Sequence, residues 1–404
     1  MADPNHRDVT ILRDLARQYA EVCADPKQDE KRALWREHNS LKRTRPMVVC
    51  AFVCAVPELI EPILECEDPF FRVHERFLRQ MLLWDYTGDD FVLEPWITVG
   101  ASRRGGGWGL AGKRIPSPDP KGAWRWEPAI KTLEDAEKMR KPIHQIDEEA
   151  TERNVSKLHD AIGDILAINV NRAPGGHNIA ATLSNLRGLE QLMWDMLDNA
   201  DWLHGVLSFL RDGVLDVYNE AERQGHWTAA DHSRLPVPYE PSLAPPRANG
   251  GTVSSTQLCA FFHAQEYAQV SPAMHDEFML QYQMPLMEKF GLVHYGCCED
   301  LTHKIDILRQ VPNLRRIAAV PWADVRLCAE QIGEDYIISW QPNPSDMGCC
   351  GFEPDHIRSI VRNAMDLMRG CHVDIVWKDV QTVEGDRNRL RRWVEIVREV
   401  TEGY

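Results

Sequence analysis

From residue 257 onward, short apolar runs alternate with amphipathic ones at a steady spacing. Apolar stretches near Gln257 to Phe262, Gly291 to Tyr295, Arg315 to Val320, Asp335 to Trp340 and His372 to Trp377 read as strands. Those near Pro272 to Phe290, Val325 to Ile332, Pro354 to Arg369 and Asp386 to Thr401 read as helices. Short strands separated by single helices call for parallel pairing, and this many in series predicts an α/β protein built as a single (β/α)8 TIM-like barrel.

Upstream the pattern is less regular. Residues 8 to 37 carry Ile11, Leu12, Leu15, Tyr19 and Val22 at helical spacing, which makes 1–45 a helical addition and 46–404 the barrel. The run RPMVVCAFVCA (45 to 55) predicts the first strand, and Pro69 to Trp84 a helix with Phe70, Phe71, Phe77, Leu78, Met81 and Leu82 on its apolar positions. Phe91 to Val99 holds Pro95 and predicts an edge strand or one that frays. Ser102 to Ile130, rich in glycine, predicts a lid-like loop, since it lacks the order of a phosphate-binding loop. Asn178 to Gln224 predicts two helices, the second beginning at Asp201, and 227 to 254 a proline-rich connection.

Composition narrows the function. The chain has 404 residues and a net charge of −15, which argues against nucleic-acid and anionic-membrane partners. Its amino terminus carries no apolar leader, and no run of about 18 apolar residues occurs, so a cytoplasmic location is expected. Eleven cysteines, unevenly spaced and twice adjacent, suit a reducing compartment better than a disulfide framework.

Candidate chemistry gathers where strands end, as barrel architecture requires. The densest cluster is His294-Tyr-Gly-Cys297-Cys298-Glu299, whose sulfur, imidazole and carboxylate groups are zinc-binding types. Side-chain alternation pairs Cys297 with Glu299, or His294 with Cys298, on a common face. Other strand ends supply His263, Gln265 and Glu266; Trp322 and Asp324; Trp340, Gln341 and Asn343; and Lys378 and Asp379. Each alone is also what a helix cap or a solvated loop would use, and their recurrence at successive strand ends is the signal.

The segments LSNLRGLEQLMWDML (183 to 197) and AQEYAQVSPAMHDEF (264 to 278), the GCCED turn and VWKDVQTVEGDRNRL (376 to 390) resemble the uroporphyrinogen decarboxylase superfamily. The likeness runs from about Arg45 to the end of the chain. It is closer to the corrinoid-dependent methyltransferases, because nothing before Arg45 matches the arginine-rich, carboxylate-gripping motif of the decarboxylases. Asp89 and Asp90 fall where that family places a functional aspartate. The methyltransferases hold zinc through His-x-Cys and a late cysteine. Here Cys297-x-Glu299 lies over the first pair and Lys378 falls near the late cysteine, which leaves Cys350, His263, Glu266 and Asp379 as candidates for a third ligand.

The resemblance implies zinc-assisted methyl transfer between a small-molecule donor, with a methoxylated aromatic as one candidate for O-demethylation, and a corrinoid carried by a partner protein. In that scheme Cys297, Glu299 and Cys298 hold metal, and Glu299, Asp324 and His294 serve the chemistry. Trp96, Trp322, Trp340, Gln341, Asn343 and Glu266 contact substrate. A decarboxylase is the alternative enzyme and a ligand-binding barrel the non-catalytic one; self-association is left open.

Overall fold

The computed structural model describes residues 4–119, 123–175, 178–229 and 238–404. Ten strands occur among them: β1 Met47–Cys50, β2 Trp96–Gly100, β3 Lys113–Ile115, β4 Arg125–Glu127, β5 Ala167–Asn171, β6 Cys259–Phe262, β7 Leu292–Tyr295, β8 Leu314–Ala319, β9 Ile337–Trp340 and β10 His372–Trp377. Six form one parallel sheet in the order β1-β10-β9-β8-β7-β6, while β2 and β5 form a separate parallel pair. The small antiparallel hairpin β3-β4 lies inside the expected 102 to 130 loop.

The six-stranded sheet is curled into a half-barrel, and its two faces differ in chemistry. By register and side-chain alternation, Phe261, His294, Arg316, Ser339, Asp374 and Met47 share one face. Arg316 on β8 reaches across β9 to Asp374 on β10 with Nε to Oδ2 at 2.6 Å, a span that marks this face as concave. The opposite face presents Val48, Cys50, Tyr295, Ile317, Ile338, Trp340, Ile375 and Trp377 to a large apolar core shared with the helices. A second, smaller cluster of Met47, Val49, Ala51 and Val376 packs on the concave side against Trp35. The helix Lys27–Asn39 closes that lower end, since the Arg316 guanidinium sits 5.6 Å over the Trp35 ring and Nη2 donates to Asn39 Oδ1 at 2.8 Å.

Ring closure by strand pairing is interrupted at two seams among the described residues, so the expected closed (β/α)8 ring is present as a curled sheet plus a strand pair. At the first seam, the loop before β2 satisfies the free edge of β1. Asp90 N donates to Val48 O at 2.8 Å, Val48 N donates to Asp90 Oδ2 and Cys50 N to Asp89 Oδ2, both at 2.8 Å. Asp90, fully buried, also takes Arg45 and Arg398, while Asp89, equally buried, takes the Trp84 indole and Phe91 N, so both aspartates are spent on structural partners at this seam. At the second seam, between β5 and β6, a cavity of about 210 Å³ is lined by Asn171, Trp227, Gln257, Leu258, Cys259 and Phe290.

Several elements depart from expectation for local reasons. The first strand ends at Cys50, and Phe52–Ala55 turns into a 3-10 helix. The second begins only after Pro95, because proline offers no ladder donor. The 178 to 224 block breaks at Gly188, whose φ of 89° ends one helix and opens the next, giving Ile179–Arg187, Leu189–Asp198 and Ala200–Arg223. β5 was not anticipated, although Ile168 and Val170 alternate within it. Residues 120–122 of the expected lid and 230–237 of the proline-rich connection lie outside the described residues.

Candidate functional site

The carboxyl ends of β6, β7, β9 and β10 open on one mouth, and alternation carries His263, Gly296, Gln341 and Lys378 onto the concave side there. Gly296 makes the exit from β7. Its φ is 105°, and a Cβ would stand 2.6 Å from Leu301 Cδ1 and 2.9 Å from Ala318 Cβ, so the turn into Cys297 needs glycine.

Lys378 reaches from the end of β10 to the loop after β7, past two intervening strands. Its Nζ donates to Cys297 O at 2.7 Å and lies 3.3 Å from Cys298 Sγ and 3.6 Å from Cys297 Sγ. The two sulfurs are 3.5 Å apart and both part-buried. Burial pulls the Lys378 ammonium down, but the thiols and Asp379 outweigh it and hold it above its ordinary value. The hydrogen bond from Cys297 holds the Cys298 thiol down at about 6, with Lys378 adding to it against burial. The same bond, together with burial, pushes Cys297 up.

Glu299 is fully buried and turned onto backbone. Oε1 accepts from Ala264 N at 2.8 Å, while Oε2 accepts from Cys297 N at 2.9 Å and Cys298 N at 3.0 Å. One carboxylate thus ties the loop after β6 to the loop after β7.

Below the thiols, the concave face is polar and short of partners. His294 is fully buried with neither ring nitrogen hydrogen-bonded, and Gln341 Nε2 also lacks a partner. Burial drives the His294 imidazole well below its ordinary pKa, helped by Arg316, Lys378 and His263, so it is neutral. Phe261, although inward-facing, is 37% exposed, and its ring centroid lies 5.1 Å from His294 and 5.2 Å from His263. This face sets an exposed aromatic ring beside buried polar groups without partners, the composition of a small-ligand site. Asn178, capping the helix Ile179–Arg187, points Nδ2 at the His263 ring from 3.0 Å. Glu266 stands nearby with Oε2 unpartnered, its carboxyl raised by burial.

The predicted residues therefore separate. Cys297, Cys298, Glu299, His294, Gln341 and Glu266 gather at the mouth or just beneath it. Asp324 is the N-cap of Val325–Ile332, accepting from Leu327 N at 3.1 Å, and Asn343 accepts from Ser345 N at 3.0 Å within its own turn. Trp340 faces the convex core, Trp96 begins β2 at the end away from the mouth, and Trp322 is 63% exposed. The apolar surface comes instead from Phe261, which the sequence reading passed over. A large aromatic at an inward strand position next to two histidines was the available signal.

The donor set does not fit the zinc centre that the resemblance implies. Both Glu299 oxygens are engaged by amides, an ammonium sits against both sulfurs, and among the described residues no three His, Cys, Asp or Glu side chains converge as metal ligands. Cys350 is exposed and Asp379 stands 3.7 Å from Lys378, neither completing a third position.

No helix among the described residues is long and apolar enough to cross a membrane. No protein-family model and no curated protein matches the chain. Among solved structures, the chain is similar to a methyltransferase from Methanosarcina mazei with a TM-score of 0.54 at 11% identity, over 91% of this chain and 98% of that one, a likeness of fold.

Proposed function

We propose that this chain is a methyltransferase built on a (β/α)8-type frame, moving a methyl group from a small methoxylated aromatic donor to the corrinoid of a separate protein. The observation that carries the reading is the concave face under Lys378, where the exposed Phe261 ring stands beside His294 and Gln341, whose ring nitrogens and Nε2 have no hydrogen-bond partner. The fold shared with a methyltransferase supports it. The donor ring would lie on Phe261 with its polar substituents on His294 and Gln341.

Breaking the methyl–oxygen bond leaves its electron pair on oxygen, and a positive charge aimed at that atom lowers the barrier. Lys378 is the cation at the mouth, able to stabilise the phenolate and to give it a proton. Glu299 acts as a positioning residue that holds the loop bearing the two cysteines. A reduced corrinoid on a partner protein would supply the nucleophile for the methyl group, and the exposed Trp322 would give such a partner an apolar contact at the rim.

The test mixes the protein with a reduced corrinoid protein and a panel of methoxylated aromatics, following both corrinoid absorbance and the demethylated phenol. Loss of the reduced-corrinoid signal with equal phenol release is expected, slowed at least about tenfold in Lys378→Met, equivalent to about 1.4 kcal/mol. Absence of phenol across the panel, with carbon dioxide released from a carboxylated analogue, would overturn the proposal in favour of decarboxylation.

A further inference from the structure

The chain contains two pairs of adjacent cysteines, and they are built differently. Cys349 is buried and Cys350 exposed, at the end of the π-helical turn Ser345–Cys349. Cys297 and Cys298 are instead both part-buried at the mouth, with sulfurs 3.5 Å apart and a lysine ammonium within 3.6 Å of each. Their amide groups are clamped by the single Glu299 oxygen Oε2, so the loop holds the two side chains side by side. Among the described residues no third metal-ligating side chain converges on them, and the cation beside these sulfurs is Lys378.

We propose that Cys297 and Cys298 form a metal-free vicinal dithiol site that reacts with low-molecular-weight disulfides and closes reversibly into a disulfide between neighbouring residues. Cys298 is the attacking sulfur, because the ammonium lies closer to it, at 3.3 Å against 3.6 Å from Cys297 Sγ. It attacks one sulfur of the small disulfide, whose S–S bond breaks, and the first thiolate leaves and takes a proton from water. Cys297 then gives its proton to water and attacks Cys298 Sγ, displacing the second small thiolate, which is protonated in turn. The protein loses two electrons and two protons, and the small disulfide becomes two thiols. Closure needs the sulfurs to approach to about 2.0 Å, while adjacent Cα atoms stay about 3.8 Å apart, below the usual disulfide range, so the ring is strained and readily reduced. The closed ring removes both thiols from Lys378 at the mouth of the sheet. The inference does not depend on which group the site transfers.

The experiment treats the full chain with oxidised glutathione, with and without added zinc, and maps the products by peptide mass. In wild type, the peptide holding both cysteines should lose two hydrogens and retain no glutathione. Cys297→Ser should stop with one glutathione on Cys298. Cys298→Ser and Lys378→Met should react at least about tenfold more slowly, as expected when the favoured thiolate or its cation is removed. Should a serine variant misfold, limiting iodoacetamide on native wild type decides the order, with label expected on Cys298 ahead of Cys297. The proposal is overturned by glutathione persisting on the wild-type pair, by equal labelling of the two sulfurs, or by one zinc per chain that blocks exchange.

Discussion

Glu299→Gln is the sharpest perturbation, because the carboxylate's three hydrogen-bond partners are all backbone amides. In the native protein its two oxygens accept three N–H bonds at 2.8, 2.9 and 3.0 Å with no exposure to water. Glutamine keeps the shape but has only one acceptor oxygen. Its best orientation leaves that oxygen on the Cys297 and Cys298 amides and turns its NH2 group against the Ala264 N–H. One charge-assisted bond is lost, the other two become neutral, and a buried donor faces a donor, which together cost about 2–4 kcal/mol. Equilibrium urea unfolding measures this as a lower midpoint at unchanged slope. The loop should also loosen, so limiting alkylation of Glu299→Gln should favour Cys298 over Cys297 less strongly than in wild type. A metal-ligand role predicts a different outcome, with metal-free stability unchanged and zinc content lowered. A change below about 0.5 kcal/mol would refute the account, since surface-like tolerance is incompatible with a buried carboxylate holding three amides.

Three further outcomes follow from the same geometry. His294→Phe should leave urea stability within about 1 kcal/mol of wild type, because the buried ring nitrogens it removes have no partners, yet methyl transfer should fall at least about tenfold; a stability loss with full activity would contradict this. Arg316→Met strands the buried Asp374 carboxylate and should cost about 3–5 kcal/mol, most of it recovered in Arg316→Met/Asp374→Leu, and a double variant no better than the single would reject the pairing. Burial pushes the Asp90 carboxyl up, but Arg45, Arg398 and Val48 N–H hold it below its ordinary value. Its folded pKa is therefore depressed, and its contribution is present above the unfolded value of about 3.9 and lost as pH falls through the folded one. Asp90→Asn should be less stable at neutral pH and show a flatter acid-unfolding profile below about pH 4, and an unchanged slope would exclude that role.

The periodic half of the chain was legible because its signal is local. Val325–Ile332 and His372–Trp377 match their predicted bounds residue for residue, since apolar spacing of three to four or an unbroken short run depends only on near neighbours. β5 and the hairpin β3-β4 were hidden in stretches too short and too polar to rise above loop composition.

The sequence alone also singled out the cluster from His294 to Glu299 as a candidate, because strand ends in parallel α/β folds carry whatever chemistry the fold has. What it could not assign was each group's partner. A buried carboxylate bonding a metal and one bonding three amides use the same lone pairs, and only the turn at Gly296 brings the Ala264, Cys297 and Cys298 amides onto Glu299. Lys378 stands 81 residues from Cys297, and curvature of the sheet across β8 and β9 is what places its ammonium against the thiols. The two seams are likewise tertiary, because Asp89 and Asp90 occupy the edge of β1 only once the chain has closed on itself. Periodicity follows from backbone geometry and is written residue by residue, whereas the pairing of charges and lone pairs is decided by which distant segments the packed core holds together.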